Sequence, residues 1–121
     1  NEYGTQEPYG STELSRKVQE ARLAAGDRGH NYAAALLEDG DTVIGVSKKR
    51  LHAEVDILEN KANGRKVISL FTEFEPCGFK CGPKLDRSKI TDVTWSFPWN
   101  PPEVRPASRA ARDEAIRRLF E

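Results

Sequence analysis

At 121 residues the chain lies near the centre of the single-domain size range, long enough to bury a core without disulfide or metal staples. Hydrophobic residues at 37% and charged residues at 31% exclude a membrane protein on one side and a disordered chain on the other. Lys plus Arg (19) balances Asp plus Glu (19), so the global charge gives no support for polyanion binding. The balance is uneven, however. Residues 1–60 carry 7 basic and 11 acidic side chains and residues 61–121 carry 12 and 8, which leaves the second half able to present a basic side.

In chain order, Asn1 to Gly10 reads as a loose lead-in of Gly, Pro and polar residues. Ser11 or Thr12 can cap a helix with Leu14, Val18, Ala21 and Ala25 at helical spacing, stopped by Gly26. Asn31–Leu37 and Thr42–Ser47 flank Asp39-Gly40-Asp41 and read as a hairpin. Leu51–Asn60, with Leu51, Val55 and Leu58 on one face, reads as a helix ended near Asn63-Gly64. Lys66–Phe74 is a strand, Cys77–Leu85 is Gly-rich with room for a short helix, and Ile90–Phe97 is another strand. After the Pro-rich stretch Pro98–Pro106, Ser108–Phe120 forms a last helix with Ala111, Ala115, Ile116 and Leu119 toward a core. This α-β-β-α-β-(α)-β-α order predicts an α/β domain, a mixed sheet with helices on its faces, over residues 1–121. No run approaches the ~20 apolar residues of a membrane span, and no signal-peptide pattern opens the chain. The absence of methionine leads to the expectation of a piece cut from a longer polypeptide, or processed.

Two groups of residues carry chemistry: His52-Ala53-Glu54, and Glu75-Pro76-Cys77-Gly78-Phe79-Lys80-Cys81. One imidazole and two thiolates make a three-ligand zinc site with a fourth position for water, and zinc makes hydroxide available near neutral pH. A carboxylate two residues from the histidine can take that water's proton and return it to a ring nitrogen and a leaving amine. Pro76 suits a strand-to-helix turn, and a helix starting there stabilises thiolate charge. Two other uses of these residues compete: a structural zinc with His30 as fourth ligand, and a Cys77–Cys81 redox pair.

These residues resemble the zinc-dependent deaminase superfamily of cytidine, cytosine and adenosine deaminases, with its H-x-E…P-C-x-x-C signature. Tyr32 to Gly40 resembles the first hairpin of free-nucleoside cytidine deaminases, and Phe74-Glu75-Pro76-Cys77 resembles the L-E-P-C of tRNA adenosine deaminases. The resemblance implies the three-layer cytidine deaminase-like fold, with about five strands in a mixed central sheet and helices on both faces. It implies Zn2+ held by His52, Cys77 and Cys81, with Glu54 as proton shuttle. The chain departs from the pattern in spacing its cysteines C-x-x-x-C, although three and four both place side chains on one helix face. Ser47 stands where many members have an asparagine for the target sugar, and Asn31 is another candidate for that contact.

The same resemblance assigns substrate contacts to Ala53 and Glu75 and a base-stacking role to Trp99, while Trp95 and Phe97 read as core strand residues. Lys48, Lys49 and Arg50 before the motif, and Lys84 and Arg87 after it, are placed to follow a phosphate backbone. Arg105, Arg109 and Arg112 form a further stripe at helical spacing. A compact methionine-free domain of this kind is similar to the C-terminal domains of bacterial polymorphic toxins. The expectation is therefore a monomeric cytosine-to-uracil deaminase acting on single-stranded DNA. It would be secreted or delivered into the cytoplasm of a rival cell, restrained by a cognate immunity protein and independent of membranes. An RNA or tRNA base deaminase, a free-nucleoside or nucleotide deaminase, and a small zinc-stabilised binding module are the alternatives.

Overall fold

The computed structural model describes residues 4–48, 52–76, 90 and 92–121. The first helix, α1 (Glu13–Ala25), begins where Thr12 accepts the Ser15 amide and Ser15 caps back onto the Thr12 amide. It ends at Gly26, whose φ of 64° suits a residue without a side chain. The hairpin follows as β2 (Tyr32–Leu37) and β3 (Thr42–Val46), antiparallel, with Gly40 at φ 92° in the turn. A short helix α2 (Ala53–Asp56) widens into a π-turn over Ile57–Lys61. Strands β4 (Val67–Phe74) and β5 (Asp92–Phe97) then run parallel to each other. A 3-10 turn at Pro102–Val104 leads into α3 (Arg105–Leu119).

The lead-in expected to be loose is tied to the sheet, with Glu7 bonded to β5 residues Trp95 and Ser96 and Tyr9 packed against Phe71 and Phe97. Thr5–Gln6 forms a two-residue strand, β1, parallel to β5 with Thr5 opposite Thr94. The five-stranded mixed sheet has the order β1-β5-β4-β2-β3. Alternation along the strands divides the core into two layers. Ala33, Ala35, Leu37 and Leu70 pack with Ala53 and Ile57 under α2, while Tyr32, Ala34 and Phe71 pack with Val18 under α1. The fold is thus the expected α/β arrangement, with helices on both faces of a mixed sheet.

Two helices turn an arginine inward where apolar spacing predicts alanine. In α1 the buried positions are Ser15, Val18 and Arg22, and Ala25 is exposed. In α3, Ser108 and Ile116 are buried and Arg112 is mostly covered, while Ala111 is exposed. The aliphatic stem of arginine can line a core if its head finds acceptors. Here both heads do, as shown below. The last helix also starts three residues earlier than its sequence pattern indicates, because Pro106 falls in the first turn, where no amide donor is needed.

The approach of α2 to the sheet is set by Gly45. A Cβ there would lie 2.2 Å from the Ala53 carbonyl oxygen and 2.7 Å from Ile57 Cγ1. Asp56 ties the same two elements together, accepting the Val46 amide (3.1 Å) and the Asn60 side-chain amide (2.8 Å). The start of α2 therefore lies directly on β3, near the ends of β2 and β4.

Candidate active site

A cleft of about 390 Å³ opens at that junction, within the size range of small-molecule sites, roughly 300–1,000 Å³. Its lining includes Asn31, Ser47, Lys48, His52, Glu54, Glu75 and Trp99, together with His30, Phe74, Arg109 and Arg112. Residues singled out in widely separated parts of the sequence thus meet around one cavity.

Glu54 forms the floor. It sits in the first turn of α2 and is only 2% exposed. Thr72, fully buried on β4, donates its hydroxyl to Glu54 Oε2 at 2.8 Å, and Asn31 Nδ2 donates to the same hydroxyl oxygen at 3.3 Å. His52 is the N-cap residue of α2, with extended backbone (φ −78°, ψ 153°) and a side chain 41% exposed. Its Nδ1 lies 3.6 Å from Glu54 Oε1. Ala53, between the two, is completely buried in the core under the sheet.

One wall is the entry to β2. The Asn31 amide donates to Ser47 Oγ (2.7 Å) and the Ser47 amide donates to the Asn31 carbonyl (2.8 Å). Behind this wall Arg22 makes a fully buried pair with Glu73, at 2.6 Å and 2.8 Å. Arg22 also donates to the carbonyls of Asp27 (3.0 Å), Gly29 (2.7 Å) and His30 (2.7 Å). Arg112 donates to that same His30 carbonyl at 2.7 Å from the opposite helix. The two inward arginines therefore converge on the loop that carries His30 and Asn31, where His30 has a φ of +49°. The His30 imidazole is engaged by Asp27 Oδ2 at 3.0 Å. Among the described residues, Asn31 Oδ1 and Arg112 Nε are buried without a hydrogen-bond partner.

The other wall is aromatic and cationic. Trp99 lies 4.6 Å from Phe74 between ring centroids, with the Arg105 and Arg109 guanidiniums 4.9 and 5.1 Å from its centroid. Arg112 lies 4.9 Å from the Phe74 centroid. Glu75, expected as a substrate contact, is 5% exposed and accepts the amides of Trp99 (3.1 Å) and Asn100 (3.3 Å) through Oε1. It therefore fixes the loop that carries Trp99. Trp95 and Phe97 are buried, in keeping with their reading as core strand residues.

Cys77 and Cys81 lie outside the described residues, as do Lys49, Arg50, Lys84 and Arg87. Pro76, which precedes Cys77 directly, is buried and accepts the Asn100 side-chain amide at 3.1 Å, so β4 delivers the chain to the cleft's edge. In residue type, the half-exposed His52 imidazole at the cleft and the Cys77 and Cys81 thiols that come after Pro76 in the sequence are donors of the kind zinc takes. Sequence reasoning missed Thr72 and Arg22. Nothing in the sequence marks Thr72 apart from other β-branched strand residues, or Arg22 apart from other arginines on a helix.

A buried carboxylate beside an imidazole, at the start of a helix set against a mixed sheet, gives this α/β domain a cleft lined by groups able to accept and donate protons. The chain belongs to the Xanthomonas-like deaminase family, whose model matches residues 28–120, from the loop before β2 to the end of α3. No curated protein and no solved structure matches the chain.

Proposed function

We propose that this deaminase is a zinc-dependent enzyme that converts cytosine to uracil in single-stranded DNA. The observation that carries the reading is Glu54, buried on the cleft floor and anchored by Thr72, facing a wall of Trp99, Phe74 and arginines. His52, Cys77 and Cys81 would hold the zinc. When bound, the metal supplies hydroxide near neutral pH by lowering the pKa of water. Glu54 takes the first proton of water and passes it to the ring nitrogen next to the attacked carbon. It then takes the proton of the hydroxyl now on that carbon and gives it to the amine, so that the carbon–nitrogen bond breaks, ammonia leaves and the carbonyl forms. A target base must leave its stack to reach the floor of such a cleft, which favours single strands over duplex. Lys48 and Arg109 at the cleft, with Lys49, Arg50, Lys84 and Arg87 nearby in sequence, supply charge for a phosphate backbone.

The biological role proposed with it is that of a toxin domain. On this reading the domain is delivered into a rival bacterium, acts in its cytoplasm as a monomer, and is neutralised by an immunity protein. What supports this part is the similarity of the compact H-A-E…P-C core to polymorphic-toxin deaminases.

The test is to incubate the purified domain with single-stranded DNA, duplex DNA, RNA and free nucleosides, then sequence or weigh the products. Uracil forming fastest in single-stranded DNA, at a rate falling steeply with salt, is expected. Products only in RNA or free nucleosides, or a rate on DNA insensitive to salt, would overturn the substrate assignment. Equal toxicity of wild type and Glu54→Ala in a host cell would remove the toxin reading.

A further inference from the structure

We propose that Thr72 is a positioning residue for the deamination, its hydroxyl holding the Glu54 carboxylate in the orientation that proton transfer requires. The inference rests on the reading of Glu54 as the proton carrier, and it holds for whichever base is the substrate. A threonine hydroxyl has one proton and two acceptor sites. The Asn31 side-chain Nδ2 can only donate, so at 3.3 Å it fills an acceptor site of Thr72 Oγ1. With that acceptor site filled, the Thr72 hydroxyl donates its single proton to Glu54 Oε2 at 2.8 Å. The two neighbours thereby fix the direction of the hydroxyl, and the hydroxyl fixes one oxygen of Glu54.

The other oxygen, Oε1, is on the His52 side, 3.6 Å from Nδ1. One carboxylate thus has two distinct ends, one anchored to the central strand and one beside the His52 imidazole. The anchor is stiff as well as polar. Thr72 is β-branched, so its χ1 is restricted, and it is fully buried with Ala33 opposite it on β2 and Trp95 on β5. A strand that merely needed a β-branched residue here would be served equally by valine. Placing a hydroxyl in the core is useful only if its hydrogen bonds are.

The test compares Thr72→Val, Thr72→Ser and Thr72→Ala in the full chain, each by turnover, by thermal melting and by crystal structure. Thr72→Val keeps the shape and loses the hydroxyl, whereas Thr72→Ser keeps the hydroxyl and loses the methyl. Positioning predicts that Thr72→Val loses about 10–100-fold in kcat with KM nearly unmoved, since a displacement near 1 Å can cost about 10²-fold. Thr72→Ser should recover most of that loss, and the Thr72→Val structure should show Glu54 Oε2 moved off the strand. The opposite order, with Thr72→Val close to wild type and Thr72→Ser impaired, would overturn the proposal and leave Thr72 as packing. If Thr72→Val does not fold, Thr72→Ser against Thr72→Ala isolates the hydroxyl, and equal kcat in those two would overturn it. If wild type turns over none of the substrates, the function proposed above fails. The Glu54 side-chain position in the valine or alanine structure then decides the inference alone, and an unmoved carboxylate would overturn it.

Discussion

Replacing Glu73 by leucine removes the acceptor for four donors at once: Arg22 Nε, Arg22 Nη2, the Tyr32 amide and the Tyr9 hydroxyl. The Arg22 guanidinium left behind is completely buried. Stranding one partner of a buried pair typically costs about 3–5 kcal/mol, a large share of the roughly 5–15 kcal/mol that holds a native domain together. For a chain of this size that corresponds to a fall of roughly 10–20 °C in melting temperature. Arg22→Met should be of similar size, because it strands Glu73 and also removes the Arg22 donor from the carbonyls of Asp27 and Gly29 and one of the two donors of the His30 carbonyl. The informative variant is the double one. With both charges gone the desolvation penalty disappears, and Arg22→Met/Glu73→Leu should be less unstable than the summed single variants by at least about 2 kcal/mol. A deficit of about 1–3 kcal/mol should remain for the carbonyls, the Tyr32 amide and the Tyr9 hydroxyl left without these partners. Urea unfolding followed by circular dichroism measures all four proteins. Additive single effects, or singles within about 1 kcal/mol of wild type, would refute the view that this pair is a coupled, fully desolvated unit.

Three further outcomes are expected. Glu54→Gln should keep the melting temperature and the metal but lose about 10²–10⁴-fold in turnover, and retention of activity would remove Glu54 from proton transfer. Metal analysis should find about one zinc per chain in wild type and less in His52→Ala, Cys77→Ala and Cys81→Ala, while an undiminished zinc content in Cys81→Ala would exclude it as a ligand. At Asp56, burial pushes the carboxyl up, but the Asn60 amide, the Val46 N–H and the charges of Lys61 and Lys48 more than offset it and hold it below the ordinary aspartate range. Stability from a depressed carboxyl is complete above its unfolded pKa, near 3.9, and is lost as pH falls through the lower folded value. The cost of Asp56→Asn in denaturant unfolding should therefore be full at pH 7 and shrink below about pH 4, and a cost constant down to pH 2 would contradict that account.

The elements whose signals are local were legible from the residues alone. Thr12 and Gly26 bound α1 because a cap needs only neighbouring atoms, and Asp39-Gly40-Asp41 closes the hairpin for the same reason. His52 and Glu54 were legible as a pair because two residues at the start of one helix must lie close together. The remainder depends on partners distant in sequence. Nothing around Thr5–Gln6 announces a strand, since its pairing partner lies 89 residues away on β5. Arg22 resembles any exposed helical arginine until β4 supplies Glu73 and the following loop supplies three carbonyls. Helical spacing likewise does not show that the helix expected over Leu51–Asn60 is an α-turn at Ala53–Asp56 followed by a π-turn at Ile57–Lys61. That register is imposed by packing, with α2 resting on Gly45 and Asp56 reaching back to β3.

The end of β4 shows why stability has been spent here. Thr72, Glu73 and Glu75 are three buried polar residues within four positions of a central strand, where apolar side chains would fold the domain more simply. Each is hydrogen-bonded to a different part of the cleft. Thr72 holds Glu54 on the floor, Glu73 holds Arg22 and through it the loop of His30 and Asn31, and Glu75 holds the backbone of Trp99 and Asn100. Because alternate strand residues point to opposite faces, Thr72 reaches the helix above the sheet and Glu73 the helix below it, so one strand governs both layers. In the sequence, Pro76 and then Cys77 follow directly after these residues. A shift in β4 register by one residue would exchange these faces and dissolve floor and walls together. The cleft is thus organised from a single strand, and its polar groups mark where local folding preference gives way to function.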